Sequence, residues 1–253
     1  MNPRDISWNK IAKDFDFDSH NFDKSPLVIT ATEIKESCKD FVEGGITEPR
    51  LLCKQDTRES RPEIFKELGL FILPKKNGVY YIIKGEGYLD IPKITSEPEV
   101  HKSILDFQLE TTEVGNSEMQ HLDYAYASSI IRTFMNDHSL VLTIRGRKYT
   151  PEFSFRVGPH LITTRSVQTE VDGGYEGRDS VVLIEAKNSN ADNEIIRQLY
   201  YPYRQWQEHT NKKVTTLFFQ KNDTFFDLWN FEFADKKDYN SIKLVKSARF
   251  RLK

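Results

Sequence analysis

The chain has little of what marks several functional classes. It holds two cysteines in 253 residues, Cys38 and Cys53, with neither a C-x-x-C spacing nor a neighbouring histidine pair. A disulfide-built secreted module and a structural zinc site are thereby excluded, and two reduced thiols are expected. The six histidines, at 20, 101, 121, 138, 160 and 209, are scattered singly, which argues against a histidine-metal nuclease or a zinc protease. The longest apolar runs, such as Leu68 to Leu73 and Val181 to Ile184, fall far short of the ~18 residues of a spanning helix. No membrane partner is expected. Met1 to Asp18 is polar and acidic, with no apolar h-region and no Arg-rich amphipathic pattern, so neither secretion nor organelle import is signalled and the expected location is cytoplasmic.

Charge of one sign is also missing, since the formal net charge is −2, and the whole-chain balance announces no polyanion. Its distribution is less even. Residues 151–200 carry five basic and eight acidic side chains, and residues 201–253 carry eleven and six. An acidic, cation-collecting pocket beside a polyanion-binding surface has this pattern. With 38% hydrophobic and 29% charged residues, the chain lies near globular averages, which excludes disorder and fibres.

The first hundred residues suggest a small α-rich module. Thr30 and Glu33 have capping-box spacing ahead of Ile34, Cys38 and Val42, predicting a helix that ends near Gly44-Gly45. Pro62 opens a second helix that Gly69 closes. Leu70 to Leu73 and Val79 to Ile83, joined across Asn77-Gly78, predict a hairpin. Helices followed by a hairpin suggest a winged-helix-like module over residues 1–98. Residues 99–253 form the second expected domain. There, Glu118 to Met135 has one buried helical stripe, Tyr149 to Val157, Arg165 to Asp172 and Ser180 to Lys187 are strand-like, Asn193 to Glu208 is helical, and Val214 to Gln220 is a strand. Phe225 to Phe233 and Ile242 to Leu252 add edge strands. The fold class is α/β (α+β), a mixed β-sheet flanked by helices.

The chemistry concentrates in Glu170-Val171-Asp172 and Glu185-Ala186-Lys187. A buried strand that ends on a carboxylate and an ammonium demands compensation, because both charges lose water. Residues i and i+2 share a face of a strand, so Glu185 and Lys187 point one way while Ile184 and Ala186 point the other. A hairpin centred near residues 178 and 179 sets Asp172 across from Glu185 and Glu170 across from Lys187. Two carboxylates held together repel, and a hard divalent cation such as Mg²⁺ removes that penalty. Glu194 is expected to sit at the start of the following helix, where acids suit the dipole.

Asp172 followed by Glu185-Ala186-Lys187, within an α-β-β-β-α-β order, resembles the PD-(D/E)XK nuclease superfamily and most closely its type II restriction endonucleases, over roughly residues 115–220. Val171 stands where the motif's name has proline. The resemblance implies that Asp172 and Glu185 bind Mg²⁺ with the Ala186 carbonyl as a further ligand. It also implies that Lys187 is the catalytic lysine, that Glu118 points at the metal from the first core helix, and that Gln198 and Tyr201 are candidates on the helix after the motif, interrupted at Pro202. Glu170 joins the catalytic set by sharing the face of Asp172.

Recognition of DNA needs Arg, Lys, Asn or Gln at base edges and basic groups on phosphates. Arg58, Ser60 and Arg61 ahead of the Pro62 helix are candidates for a groove, and Arg145, Arg147 and Lys148 form an expected basic loop for phosphates. The sequence-level expectation is a Mg²⁺-dependent type II restriction endonuclease acting on double-stranded DNA as a homodimer matched to a palindromic site, with a cognate DNA methyltransferase as genetic partner. The alternatives are a repair, recombination or modification-dependent nuclease with the same core, and a non-catalytic DNA-binding protein with a degenerate nuclease fold.

Overall fold

A computed structural model describes residues 2–40, 46–188 and 191–253. The N-terminal part runs α1 (Pro3–Asp14), β1 (Leu27–Thr30), α2 (Ala31–Ser37), α3 (Pro49–Leu52), α4 (Glu63–Glu67), β2 (Leu70–Lys76) and β3 (Val79–Lys84). Helix α1 was not expected from the polar N-terminus. It forms because Asn2 caps the Arg4 N–H, Pro3 suits the first turn, and Trp8, Ile11 and Ala12 recur on one buried face. The Thr30–Glu33 capping box is present, but α2 ends at Ser37. The Val42 and Gly44-Gly45 part of the expected helix lies outside the described residues. The hairpin turns at Gly78, whose φ of 70° is free to glycine.

Strands β1, β3 and β2 make an antiparallel sheet in that order. Its alternating side chains serve two cores. Ile29, Leu70, Ile72 and Ile82 pack on Trp8, Ile11, Ile34 and Phe65, while Phe71, Leu73, Tyr81 and Ile83 join the core of the C-terminal half.

That half continues through β4 (Tyr88–Asp90), β5 (Glu99–His101), α5 (Glu118–Ala127), α6 (Ile130–Met135), β6 (Val141–Tyr149), β7 (Phe153–Val157), β8 (His160–Thr164), β9 (Gln168–Glu176) and β10 (Ser180–Lys187). It closes with β11 (Asn193–Ile195), α7 (Arg197–Gln207), β12 (Lys213–Asn222), β13 (Phe225–Phe233) and β14 (Ile242–Leu252). Seven strands form one mixed sheet in the order β5-β14-β13-β12-β10-β9-β6, with β10–β12 and β14–β5 parallel. One face carries α5 and α6, through Leu122, Ile131, Val182, Ile184 and Leu217. The other carries α7, the β7–β8 hairpin and the N-terminal hairpin, through Phe155, Leu183, Tyr200 and Phe218. A mixed sheet flanked by helices is therefore observed.

Several local expectations change. The helix expected over Glu118 to Met135 breaks at Ser129, whose φ is +69°. Pro202 does not interrupt α7, which continues through it at the cost of the N–H that would bond the Gln198 carbonyl. β13 is an interior strand, paired on both sides, because Phe226, Leu228, Trp229 and Phe231 supply both faces with apolar groups. Arg145, Arg147 and Lys148 lie within edge strand β6 and form no loop.

The seam between the halves is fixed by polar bonds in a greasy setting. The Tyr201 hydroxyl donates to the Pro74 carbonyl at 3.0 Å, and within the C-terminal half Trp229 Nε1 donates to that of Pro92 at 2.8 Å. Gly87 accepts from Ile196 N and the Tyr239 hydroxyl, and a Cβ on it would stand 2.2 Å from the Phe71 ring. Gly87→Ala is expected to cost about 1–3 kcal/mol by overpacking, lowering the melting temperature by roughly 2–10 °C. An unchanged thermal midpoint would contradict this close approach.

Candidate active site

The site lies where β9 and β10 part. Their ladder runs from Val181–Glu176 to Ile184–Gly173, the register predicted from the turn, and stops one residue short of an Asp172–Glu185 pair. The pairing of β9 with β6 is irregular at the same place: Ile144 opposes Gly174, out of the register that Leu142–Tyr175 and Gly146–Val171 share. Irregularities of this kind re-aim side chains. Here Asp172 turns its Oδ2 to the Ala186 N–H at 2.8 Å, which bridges the parting strands through a side chain. Glu170, expected across from Lys187, instead lies opposite Arg147 and pairs with it at 3.2 Å.

On β10 the predicted parity holds. Ile184 and Ala186 enter the α5–α6 layer, while Glu185 and Lys187 line a cavity on the opposite side. That cavity, of about 470 Å³, also receives Glu118, Glu170, Asp172 and Gln198. Its far wall comes from the N-terminal half, through Arg50, Lys54 and Tyr80, with Arg197 from the start of α7. Glu118 reaches it from the first turn of α5, below the Ser117 cap.

Three charges in the cavity depend on one another. Lys187 Nζ donates to Glu185 Oε1 at 2.6 Å, and Gln198 Nε2 donates to the same oxygen at 3.1 Å. Burial pushes the Glu185 carboxyl up to about 7, with Lys187 opposing the rise and Asp172 adding to it. Burial likewise raises Asp172, against the pull of the Ala186 N–H and Lys187. Burial alone would lower Lys187, but Glu185 and Glu194 outweigh it and hold the ammonium above its usual range. Lys187 is thus held as a cation by carboxyls that themselves ionise late.

Glu194 is the residue that sequence reasoning misplaced. It lies on β11, paired with Leu89 of β4, and is fully buried. Its Oε1 stands 3.6 Å from Lys187 Nζ, and burial raises its carboxyl to about 8. The available signal was Asn193-Glu194-Ile195-Ile196, an acid inside an apolar strand-like run, which the helical stripe of α7 overshadowed.

The other expected residues are engaged elsewhere. Arg58 pairs with Asp90 and donates to the Tyr88 carbonyl at 3.3 Å, Arg61 donates to the carbonyls of Arg58 and Leu70, and Ser60 closes a turn with Thr57. Arg58 thereby links the N-terminal part to β4. Arg145 pairs with Asp123 beside α5, Lys148 is exposed on β6, and Tyr201 is a core residue of the seam.

The donor set suits a hard cation. Mg²⁺ takes one or two carboxylates and keeps several waters. Asp172 accepts through Oδ2 and Glu185 through Oε1, and burial disfavours both as bare anions. Among the described residues, no three His, Cys, Asp or Glu side chains gather as a ready ligand cluster. Also among the described residues, no helix is long and apolar enough to cross a membrane.

Comparison with known proteins places this cavity in a family context. A family model described as a domain of unknown function (DUF6996) matches residues 5–82, and a second, likewise a domain of unknown function (DUF6997), matches residues 83–251. No curated protein and no solved structure matches the chain. The second model spans more than half of the chain and contains Glu118, Asp172, Glu185, Lys187 and Glu194, so the chain belongs to the DUF6997 family.

Proposed function

We propose that the chain is a Mg²⁺-dependent endonuclease of the PD-(D/E)XK kind that hydrolyses phosphodiester bonds in double-stranded DNA, acting as a type II restriction enzyme. The observation that carries this reading is the convergence of Asp172, Glu185 and Lys187, from two parting strands, in one cavity with Gln198 and Glu118. Asp172 and Glu185, with the Ala186 carbonyl, would hold the cation. When bound it supplies a lower pKa for water and neutralises phosphate charge. Lys187, held charged, faces the negative charge that develops on the attacked phosphate, a contribution of the preorganised electrostatic type. Gln198 and Lys187 fix Glu185 through Oε1, and the carboxylate so held would contribute to binding the cation. The products would be 5′-phosphate and 3′-hydroxyl ends.

The proposal includes a homodimer on a palindromic site, a cognate methyltransferase and a winged-helix-like role for the N-terminal half. That half's helix, strand, helices and closing hairpin support the last point. Incubation of unmodified phage or plasmid DNA with the chain in Mg²⁺ is expected to give discrete fragments, and EDTA to give none. Cleavage that requires branched or base-modified DNA would move the reading to a repair or modification-dependent nuclease. Salt-sensitive binding without cleavage under any divalent metal would move it to a non-catalytic DNA-binding protein.

A further inference from the structure

We infer that Glu194 is a positioning residue that holds the Lys187 ammonium in the cavity, as the second of two carboxylates sharing one cation. The inference deepens the nuclease reading and rests on it for its catalytic meaning. Its structural part stands alone. Glu194 is fully buried, and among the described residues neither of its carboxylate oxygens has a hydrogen-bond partner. An unsatisfied buried carboxylate is costly, and the nearest cation is Lys187 at 3.6 Å.

The carboxylate has been placed there by its backbone. β11 pairs with β4 over Asn193–Asp90 to Ile195–Tyr88, and Ile195 N donates to the Asp56 carbonyl at 2.8 Å. The Asn193 side chain donates to Glu59 and accepts from Arg58 N. Glu194 is thus gripped from both sides by rigid backbone, with its side chain aimed at the lysine. The Glu185 oxygen that binds Lys187 also receives Gln198, so Glu185 alone would divide its charge between the lysine and a bound cation. Once ionised, Glu194 supplies a second counter-charge that a cation at Asp172 and Glu185 does not use. Asp56 and Arg197, which also face this group of charges, pair with each other at 3.5 Å.

The test is amine acylation of the metal-free full chain in mildly alkaline buffer, read residue by residue by mass spectrometry. In Glu194→Gln, labelling at Lys187 is expected to rise at least tenfold over the unchanged chain, with Lys66 and Lys243 labelled equally in both. Glu194→Asp, which keeps the charge, is expected to restore most of the protection. Equal Lys187 labelling in the unchanged chain and Glu194→Gln would overturn the inference, as would a parallel rise at every lysine, which marks general loosening. The cleavage assay then separates this from the nuclease reading. Glu194→Gln is expected to lose at least tenfold in kcat with KM unchanged, and wild-type inactivity would sink the nuclease while the labelling still decides the role of Glu194.

Discussion

Lys187→Ala is expected to cut DNA about 10²–10³-fold more slowly than the unchanged chain in saturating Mg²⁺, the range seen when one preorganised electrostatic group is removed from a site. Binding of the same DNA in EDTA is expected to stay within a few-fold. Lys187 is mostly buried, bonded to Glu185 and 3.6 Å from Glu194, so a cation already stands in the cavity before substrate arrives. Because its partners hold it protonated, the proposed mechanism uses it as a cation and not as a proton acceptor. The rate of Lys187→Ala should therefore stay low at every pH, whereas loss of a general base would be relieved as hydroxide rises. The variant also leaves two buried carboxyls without a cation, so its thermal midpoint must be measured beside its rate. Cutting at the wild-type rate by a folded Lys187→Ala would remove the assigned role.

The second large effect is on stability and follows from the same carboxyls. Glu185 and Glu194 are pushed up by burial to about 7 and about 8 from an ordinary value of 4.5. Between that ordinary value and the raised ones, the folded chain keeps protons that the unfolded chain has released. Unfolding then releases protons, and stability falls as pH rises through this window. The contribution is complete below about 4.5 and lost above about 8. The metal-free chain is expected to melt on the order of 5–10 °C lower at pH 8.5 than at pH 5.5, before other groups are counted. Mg²⁺ or Ca²⁺ should recover much of this at the higher pH and little at the lower one, since only ionised Glu185 offers itself as a ligand. Glu194→Gln should flatten the fall. A midpoint that rises across the window, or that divalent cations leave untouched at pH 8.5, would contradict the account.

What could be read from the residues divides along physical lines. The face shared by Glu185 and Lys187 follows from period-two geometry alone, and the β9–β10 register follows from the position of the turn. The irregular pairing beside Asp172 does not, since it depends on how β6 pairs from the other side, a long-range contact with no local signature. Arg58 and Arg61 looked like groove-reading groups because exposed arginines ahead of a helix have that form. Their engagement by Asp90 and the carbonyls of Tyr88 and Leu70 arises from tertiary packing. Glu194 was missed for a related reason. Its neighbours Ile195, Ile196 and Leu199 fit a helical stripe, yet residues 193–195 are drawn into a strand by β4, and that strand aims an acid at Lys187 where a helix start would have turned it to water.

The most direct test of the cation site is a titration of Mn²⁺ into the purified chain, followed by electron paramagnetic resonance of the free ion, for the unchanged protein and for Asp172→Asn and Glu185→Gln. The account predicts saturable binding by the unchanged chain, weakened at least tenfold in each variant, with all three equally folded by circular dichroism. Equal Mn²⁺ binding by all three, or no saturable binding by the unchanged chain in the presence of DNA, would contradict it.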